Sequence, residues 1–273
     1  MFYEQTLRTL LAAQKISLDM RVLVVCGSTL DKEVFERLDF RHVVISNIKP
    51  FGGDEFAPFE WSYRDAEELG YENSSFDLVV VHAGLHHCYS PHKAFLEMYR
   101  VARRVVLVLE SRDSLLMRAG VKLRLTTDYE LESVFHDGRG GVHDSDTPNF
   151  VYRWTEEEVR KTIKSYAPEY QEESEFFYGL ELPYEALRTT GQRVKYIVVC
   201  VLTPLAWVFS KVFSRQCNRF AFAVYKTGRL QPWLKCEKGR ISPNKEYKHG
   251  FEFSGSANST PEPKALPKTT RST

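Results

Sequence analysis

Apolar runs rich in valine alternate with helical segments, and this alternation most constrains the fold. The apolar runs are Arg21–Cys26, His42–Ile45, Asp77–Val81 and Val105–Glu110, and Pro91–Arg104 has helical periodicity. Continuous apolar runs of strand length are typical of strands covered on both faces. Strand and helix in alternation favour an α/β domain with a mostly parallel sheet, helices on both faces and right-handed crossovers.

The remaining segments define the expected domain organisation. Residues 1–20 predict an N-terminal amphipathic helix, 21–227 the main domain, and 228–273 an extended, largely disordered tail. Few apolar residues and many Gly, Ser, Pro, Lys and Thr underlie the prediction for the tail. Within the main domain we expect a helix at Glu156–Tyr166, a strand at Glu175–Tyr178, helices over most of 184–214 and a last strand at Arg219–Tyr225.

An insertion at about 111–150 interrupts the alternation. It is polar and includes the glycine-rich run 138–141. Long irregular segments inside compact domains are often functional, which suggests a lid or a pocket wall. A plain surface excursion explains the same composition, and the sequence leaves both open.

Composition limits the classes of partner and of site that we expect. The net charge of +1 gives no reason to expect nucleic acid. The five cysteines are widely spaced without a C-x-x-C pair, so we expect reduced thiols and no metal site. The N-terminus does not resemble a signal peptide, and we expect a cytoplasmic protein. The neutral charge and the aromatic content of 13% favour a small-molecule ligand over a macromolecule.

The segment 196–209 carries no charge and contains Pro204. It is shorter than the run of about 20 apolar residues that an ordinary spanning helix needs. We expect a core helix or a dimer surface, with peripheral membrane contact through 196–213 as the alternative.

The turn after the first strand has the composition of a ligand-binding loop. Cys26 is followed by Gly27, Ser28 and Thr29. Small residues let the backbone approach a ligand, and the following helix offers unpaired N–H groups. In parallel sheets, ligands bind beyond the carboxyl ends of the strands. A tight strand-to-helix turn without a ligand would look the same.

A second cluster is more specific. An acidic D-A-x-x-L turn begins at Asp65, an F-D-x-V strand at Phe76, an L-H-H turn at Leu85 and an E-M-x-R-V helix at Glu97, and an apolar strand follows. In this order and spacing, the segment resembles class I S-adenosylmethionine-dependent methyltransferases, most closely the methyltransferase type 11 group. The resemblance implies a Rossmann-like, seven-stranded, mostly parallel sheet whose last strand is antiparallel, and S-adenosylmethionine as cofactor.

The resemblance also implies roles for individual residues. The loop from Cys26 to Thr29 would pass under the methionine part of the cofactor, and Asn47, or Ser46 one residue earlier, would face the ribose. Asp65 would accept a hydrogen bond from the adenine amino group. The implied cofactor-binding residues are Cys26, Gly27, Ser28, Thr29, Asn47, Asp65, Ala66, His82 and Ala83, the last two bordering the methyl-bearing sulfur.

The glycine motif of the family is eroded in this chain. Its acidic place holds Val24, and its three glycine places hold Cys26, Ser28 and Leu30. An uncharged Asn47 makes a weaker hydrogen bond to a hydroxyl than a carboxylate would. Two functions follow: methyl transfer to an unknown small-molecule, sugar-linked or lipid-linked acceptor, or a degenerate binding or scaffold protein.

No residue is fixed as catalytic by the sequence. His86 is a candidate base, and a structural histidine is the alternative. Arg153 is a candidate clamp for an anionic substrate, and the alternative is a turn that packs Trp154 on the sheet.

Overall fold

The computed structural model describes residues 1–247 except 52, 125, 183 and 190, and it divides into compact units at Met1–Leu230 and Gln231–Thr273. The helices are α1 (Phe2–Ala12), α2 (Thr29–Arg37), α3 (Pro91–Val101), α4 (Leu115–Lys122), α5 (Glu132–Asp137), α6 (Glu156–Tyr166), α7 (Tyr184–Thr189) and α8 (Arg193–Val212). The strands are β1 (Arg21–Val25), β2 (His42–Asn47), β3 (Glu60–Tyr63), β4 (Phe76–His82), β5 (Ala102–Ser111), β6 (Glu173–Gly179), β7 (Arg219–Tyr225), β8 (Leu234–Glu237) and β9 (Arg240–Pro243).

The first unit is built on one seven-stranded sheet in the order β3-β2-β1-β4-β5-β7-β6. The strands β1 to β5 pair in parallel, and β7 runs antiparallel to both of its neighbours, β5 and β6. This arrangement confirms the predicted mostly parallel sheet with an antiparallel last strand. The chain adds strands on one side of β1 up to β3 and on the other side from β4 onward. A ligand crevice is expected at this switch in strand order, between β1 and β4.

Both faces of the sheet are covered, which explains the continuous apolar runs. In β1, Val22 and Val24 pack on one face with α1 and α2, while Leu23 and Val25 pack on the other with α3 and α6. Successive strand residues point to opposite faces, so both sets must be apolar when both faces are buried.

Several segments of the first unit differ from the sequence predictions. The core helix expected at 196–209 is wrong, because no residue of α8 is buried. The helix predicted at Pro91–Arg104 ends at Val101, because the strand β5 begins directly at Ala102. The short edge strand β3 was not predicted, since its residues are only partly buried and lack an apolar run. The N-terminal helix ends at Ala12 rather than reaching residue 20.

The second unit differs from the extended tail predicted from residue 228. Its strands β8 and β9 form an antiparallel hairpin, with Leu234 opposite Pro243 and Glu237 opposite Arg240. The hairpin is closed by Lys238 and Gly239, both of which have positive φ, as two-residue hairpin turns require. The predicted disorder of 248–273 lies outside the described residues.

Trp154 anchors the insertion to the core. It is fully buried, and its ring lies 5.6 Å from Phe95 and 5.7 Å from Phe222. Its backbone N–H donates to Ser111 at 3.0 Å, so the chain returns to the end of β5 after the insertion. The structure thus places Trp154 in the core, as the packing alternative proposed.

We expect Trp154→Ala to lower the free energy of unfolding by about 3–5 kcal/mol, because it leaves a large cavity in a close-packed core. Urea denaturation followed by circular dichroism measures the change. Trp207→Ala is the matched control, since Trp207 is 62% exposed, and exposed substitutions usually stay within about 0.5 kcal/mol. Equal losses in the two variants would contradict this account of the core.

Candidate functional site

Two sharp turns leave the neighbouring strands β1 and β4. Cys26 and Ala83 both have left-handed φ, 54° and 52°, which bend the chain abruptly at the ends of these strands. A Cβ at Gly84 would lie 2.5 Å from Cys26 Cβ, so only glycine lets the two turns approach so closely. The two turns form the floor of a cavity at the switch in strand order.

The first cavity holds about 320 Å³ beyond the carboxyl ends of these strands. Seven of the nine residues implied as cofactor-binding line it, namely Cys26, Ser28, Asn47, Asp65, Ala66, His82 and Ala83. Gly27 and Thr29 are not in the lining. Gly27 donates its N–H to Ser46 at 2.8 Å and packs against Ile45, and Thr29 is the first residue of α2.

The polar side chains of the loop are largely bonded within the protein. Asn47 donates through Nδ2 to the Gly27 carbonyl at 2.9 Å and accepts from the Lys49 N–H at 3.1 Å. Ser46 is buried and donates to the Val24 carbonyl at 3.0 Å. The Asn47 amide therefore ties β2 to the loop after β1 while it lines the cavity.

Asp31 belongs to the same loop but faces inward. It is buried, and its Oδ2 accepts from the Ser28 N–H at 2.8 Å and from the Ser28 hydroxyl at 3.0 Å. This is a capping box at the start of α2. The Asp31 carboxylate is therefore outside the lining of the first cavity.

Asp65 combines a turn with the lining of the cavity. Its Oδ1 accepts from the Glu67 N–H at 2.8 Å, the bond of an Asx turn. No described residue bonds to its Oδ2 in the structure, so that oxygen is available to a ligand in the cavity. Both roles considered for Asp65 are compatible with the same side chain.

The insertion supplies a wall of the first cavity. Lys49 after β2 pairs with Asp144 at 3.5 Å, which ties the insertion to the site. Lining residues that sequence reasoning missed are Ile48, Lys49, Phe51, Arg64, Gly84, His87, Cys88, Gly140, Gly141, His143 and Asp144. The glycine-rich run at 138–141 was the sequence signal for the lining residues of the insertion. Their position in the cavity supports the interpretation of the insertion as a pocket wall.

A buried ionic pair lies beneath the turn after β4. The Glu110 carboxylate accepts from the Leu85 N–H at 2.7 Å and bonds to His86 Nδ1 at 2.6 Å. Burial lowers the pKa of His86, but the carboxylates of Glu110 and Glu130 outweigh it and raise the pKa to about 10. Interaction with His86 lowers the pKa of Glu130 to about 2.

The two candidate catalytic residues lie outside the first cavity. His86 is buried and held by Glu110, and Arg153 bonds to Asp128 at 2.7 Å and to the Thr127 carbonyl at 2.7 Å. Neither lines the first cavity. Among the described residues, His86, His87 and Glu130 place ligand atoms within 4.8 Å of one another, a spacing that could admit a metal ion.

A second cavity of about 740 Å³ meets the first at His82 and Ala83. Its lining includes Glu110 and the ion pair of Arg219 with Glu181 at 2.6 Å. The His82 ring stacks on Tyr3 of α1 with centroids 4.6 Å apart. Burial lowers the pKa of His82, although the Asp31 carboxylate opposes the shift. A neutral imidazole therefore stands where the two cavities join.

Residues 28–108 match the family model described as a methyltransferase domain. This segment is similar to methyltransferase domains, as the resemblance in the sequence implied. The same resemblance implied S-adenosylmethionine as the methyl donor. The match begins at Ser28, the last residue of the loop after β1, and includes the acidic turn at Asp65 and the residues His82 and Ala83. A search of curated proteins finds no match.

Solved structures with similar folds include methyltransferases. The YcgJ protein of Bacillus subtilis has a TM-score of 0.49 at 12% identity, with 83% of this chain and 99% of that one covered. An S-adenosylmethionine-dependent methyltransferase of Archaeoglobus fulgidus has 0.46 at 13%, covering 82% and 93%. Magnesium protoporphyrin IX methyltransferase of Synechocystis, with bound S-adenosylhomocysteine, has 0.47 at 12%, covering 82% and 84%.

The pair of His86 and Glu110 makes the stability of the first unit depend on pH. The folded pKa of His86, about 10, is above its ordinary value of 6.5. The stabilisation is therefore complete below pH 6.5 and is lost as the pH rises toward 10. Breaking a buried pair costs about 3–5 kcal/mol, so we expect His86→Gln to be destabilising by that order at pH 6 and by much less at pH 10.

Urea denaturation at the two pH values measures the difference. His42→Gln is the control, because His42 is exposed at the start of β2. A loss in His86→Gln that is the same at both pH values would show that the pair is not ionic.

Proposed function

We propose that the chain transfers the methyl group of S-adenosylmethionine to a small acceptor bound in the second cavity. The observation that carries the proposal is the junction of the two cavities at His82 and Ala83. These residues are the ones that the family resemblance assigns to the border of the methyl-bearing sulfur. A donor in the first cavity and an acceptor in the second would therefore meet at one point.

The residues of the first cavity fit an adenosyl group. Asp65 offers Oδ2 to the adenine amino group, and Asn47 lines the cavity beside the place of the ribose. Phe51 and Ile48 add apolar surface for the base. The cofactor supplies an electrophilic methyl carbon on a sulfonium, and alignment with the acceptor then accounts for much of a rate enhancement.

His82 is suited to take the proton of the acceptor. Bound S-adenosylmethionine would supply the methyl carbon to the acceptor's heteroatom, and the bond between carbon and sulfur would break with its electron pair left on sulfur. If the acceptor atom carries a proton, the neutral imidazole of His82 accepts it at the junction. Stacking on Tyr3 holds the ring in place, and burial keeps it uncharged near neutral pH.

A binding protein without methyl transfer is the second candidate. It is favoured by the Asn47 amide, which already bonds to Gly27 and Lys49 instead of being free for a ribose. Such a protein would bind S-adenosylhomocysteine but would not transfer a methyl group to extracted small molecules or lipids. Mass spectrometry of those extracts after incubation with methyl-labelled donor separates the two candidates.

We expect Asp65→Asn to weaken binding of S-adenosylhomocysteine about 10-fold, the equivalent of one hydrogen bond. Asparagine keeps Oδ1 for the turn to Glu67 but places an amide donor where the adenine amino group needs an acceptor. Isothermal titration calorimetry measures the affinity. Asp19→Asn is the control, because Asp19 is exposed at the opposite end of the sheet. Unchanged affinity in Asp65→Asn would show that Asp65 does not bind the adenine amino group.

We expect His82→Asn to lower the rate constant about 100-fold, in the range of general base catalysis. Because the pKa of His82 is lowered from 6.5, the wild-type rate should be constant above that pH and fall only below it. The pH profile of methyl transfer measures both effects, with His42→Asn as the control. If the rate of His82→Asn still falls at low pH, another group accepts the proton of the acceptor.

A further inference from the structure

The helix α8 presents a large apolar face to its surroundings. No residue of α8 is buried, although by length and composition the helix is apolar enough to cross a membrane. Its exposed apolar residues are Val194, Ile197, Val198, Val201, Leu202, Leu205, Trp207, Val208 and Val212. Contiguous apolar patches of this kind mark interaction sites.

The face of α8 toward the domain is a narrow stripe of mixed polarity. Its half-buried residues are Tyr196, Val199, Thr203, Ala206, Phe209 and Ser210. The hydroxyl of Thr203 bonds to that of Tyr184, so this stripe packs against α7. A surface helix in water places its apolar stripe toward the core, whereas most of the large apolar residues of α8 face outward. The surroundings that fit its outer face are therefore apolar.

Charge distinguishes a membrane from a second copy of the chain. Arg193 and Lys195 lie at the start of α8 and Lys211 near its end, and no acidic residue lies between Arg193 and Val212. If two copies paired through α8, these cations would meet one another in either orientation. An anionic lipid surface instead complements both ends of the helix.

The connections of α8 favour a helix that lies along a membrane. A single crossing would put β6 and β7 on opposite sides, yet these strands are neighbours in one sheet. The uncharged stretch 196–210 spans about 22 Å at 1.5 Å per residue, less than the hydrocarbon core of about 30 Å. Docking by the outer face satisfies the connections and the length together.

A groove connects α8 with the second cavity. It holds about 590 Å³ and shares Met1, Phe2, Leu180, Leu182 and Tyr184 with that cavity. Phe176, Phe177 and Trp207 line its far part, whereas the end at His82 carries the ionic groups of Glu110, Glu181 and Arg219. Gln5, Thr9 and Lys211 also line the part beside α8, so the groove offers apolar surface among polar groups, and the end at His82 adds the ionic groups.

We propose that α8 docks the protein on an anionic membrane and that the acceptor is an amphiphile drawn from it. The polar head of the amphiphile occupies the second cavity, and its apolar chain lies against Phe176, Phe177 and Trp207 in the groove beside α8. The docking stands on the geometry and charge of α8, whereas the identity of the acceptor rests on the proposed methyl transfer.

Cosedimentation of the full chain with vesicles tests the docking. We expect binding to vesicles that contain phosphatidylglycerol, weaker binding to phosphatidylcholine alone, and a loss of about 10-fold or more in Leu205→Glu, because charge is costly in the apolar part of a membrane. Tyr63→Glu is the control, since Tyr63 is 60% exposed on β3 and Leu205 is 68% exposed. Vesicle binding that is absent, or equal in the two variants, overturns the docking.

Two further measurements complete the test. If light scattering shows a dimer that Leu205→Glu dissociates and the wild type does not bind vesicles, the outer face pairs two copies and the proposal fails. Calorimetry with S-adenosylhomocysteine should give the same affinity in Leu205→Glu and wild type. If the wild type does not bind S-adenosylhomocysteine, the proposed methyl transfer is wrong, whereas the result on membrane docking is unaffected.

Fluorescence of dansyl-labelled undecanoic acid tests the groove. We expect Leu182→Trp to weaken binding of this probe about 10-fold, because the larger side chain fills the passage shared by groove and cavity. Leu182→Met, which conserves volume, should bind as the wild type does. Equal affinity in all three proteins, or no binding to the wild type, overturns the assignment of an amphiphile to the groove.

Discussion

The buried carboxylate of Glu110 holds the turn on which both cavities depend. It lies at the end of β5, is 2% exposed, and accepts from the Leu85 N–H while pairing with His86. An unpaired carboxylate at this depth would be strongly unfavourable, so the turn must stay where it can satisfy the charge. The left-handed residue Ala83 is thereby fixed where it lines both cavities, with its N–H bonded to the Leu109 carbonyl at 2.8 Å.

The loop after β1 keeps its shape with few glycines. Cys26 takes the left-handed conformation that glycine would adopt more readily, and Gly84 supplies the missing space from the neighbouring turn. Hydrogen bonds of Asn47 to Gly27 and of Asp31 to Ser28 then fix the backbone. The eroded motif is therefore compensated by side-chain bonds rather than left as an unshaped loop.

The sequence predicted what depends on local pattern. Central strands such as β1 and β4 were evident because both their faces are buried, whereas β3 is short, partly exposed and without an apolar run. Seven lining residues of the first cavity followed from family spacing. The contact of Lys49 with Asp144 and that of His86 with Glu110 join distant segments, and no periodicity in the sequence encodes such pairings.

The capping box of α2 has a consequence for the kinds of nucleotide that the crevice admits. Dinucleotides and nucleotide sugars are held in many α/β proteins by a phosphate at the first helix start, where free N–H groups and the helix dipole attract negative charge. Here the carboxylate of Asp31 already occupies that end of α2. The Ser28 N–H at that helix start is therefore already bonded, and an adenosyl group, which carries no phosphate, does not need it.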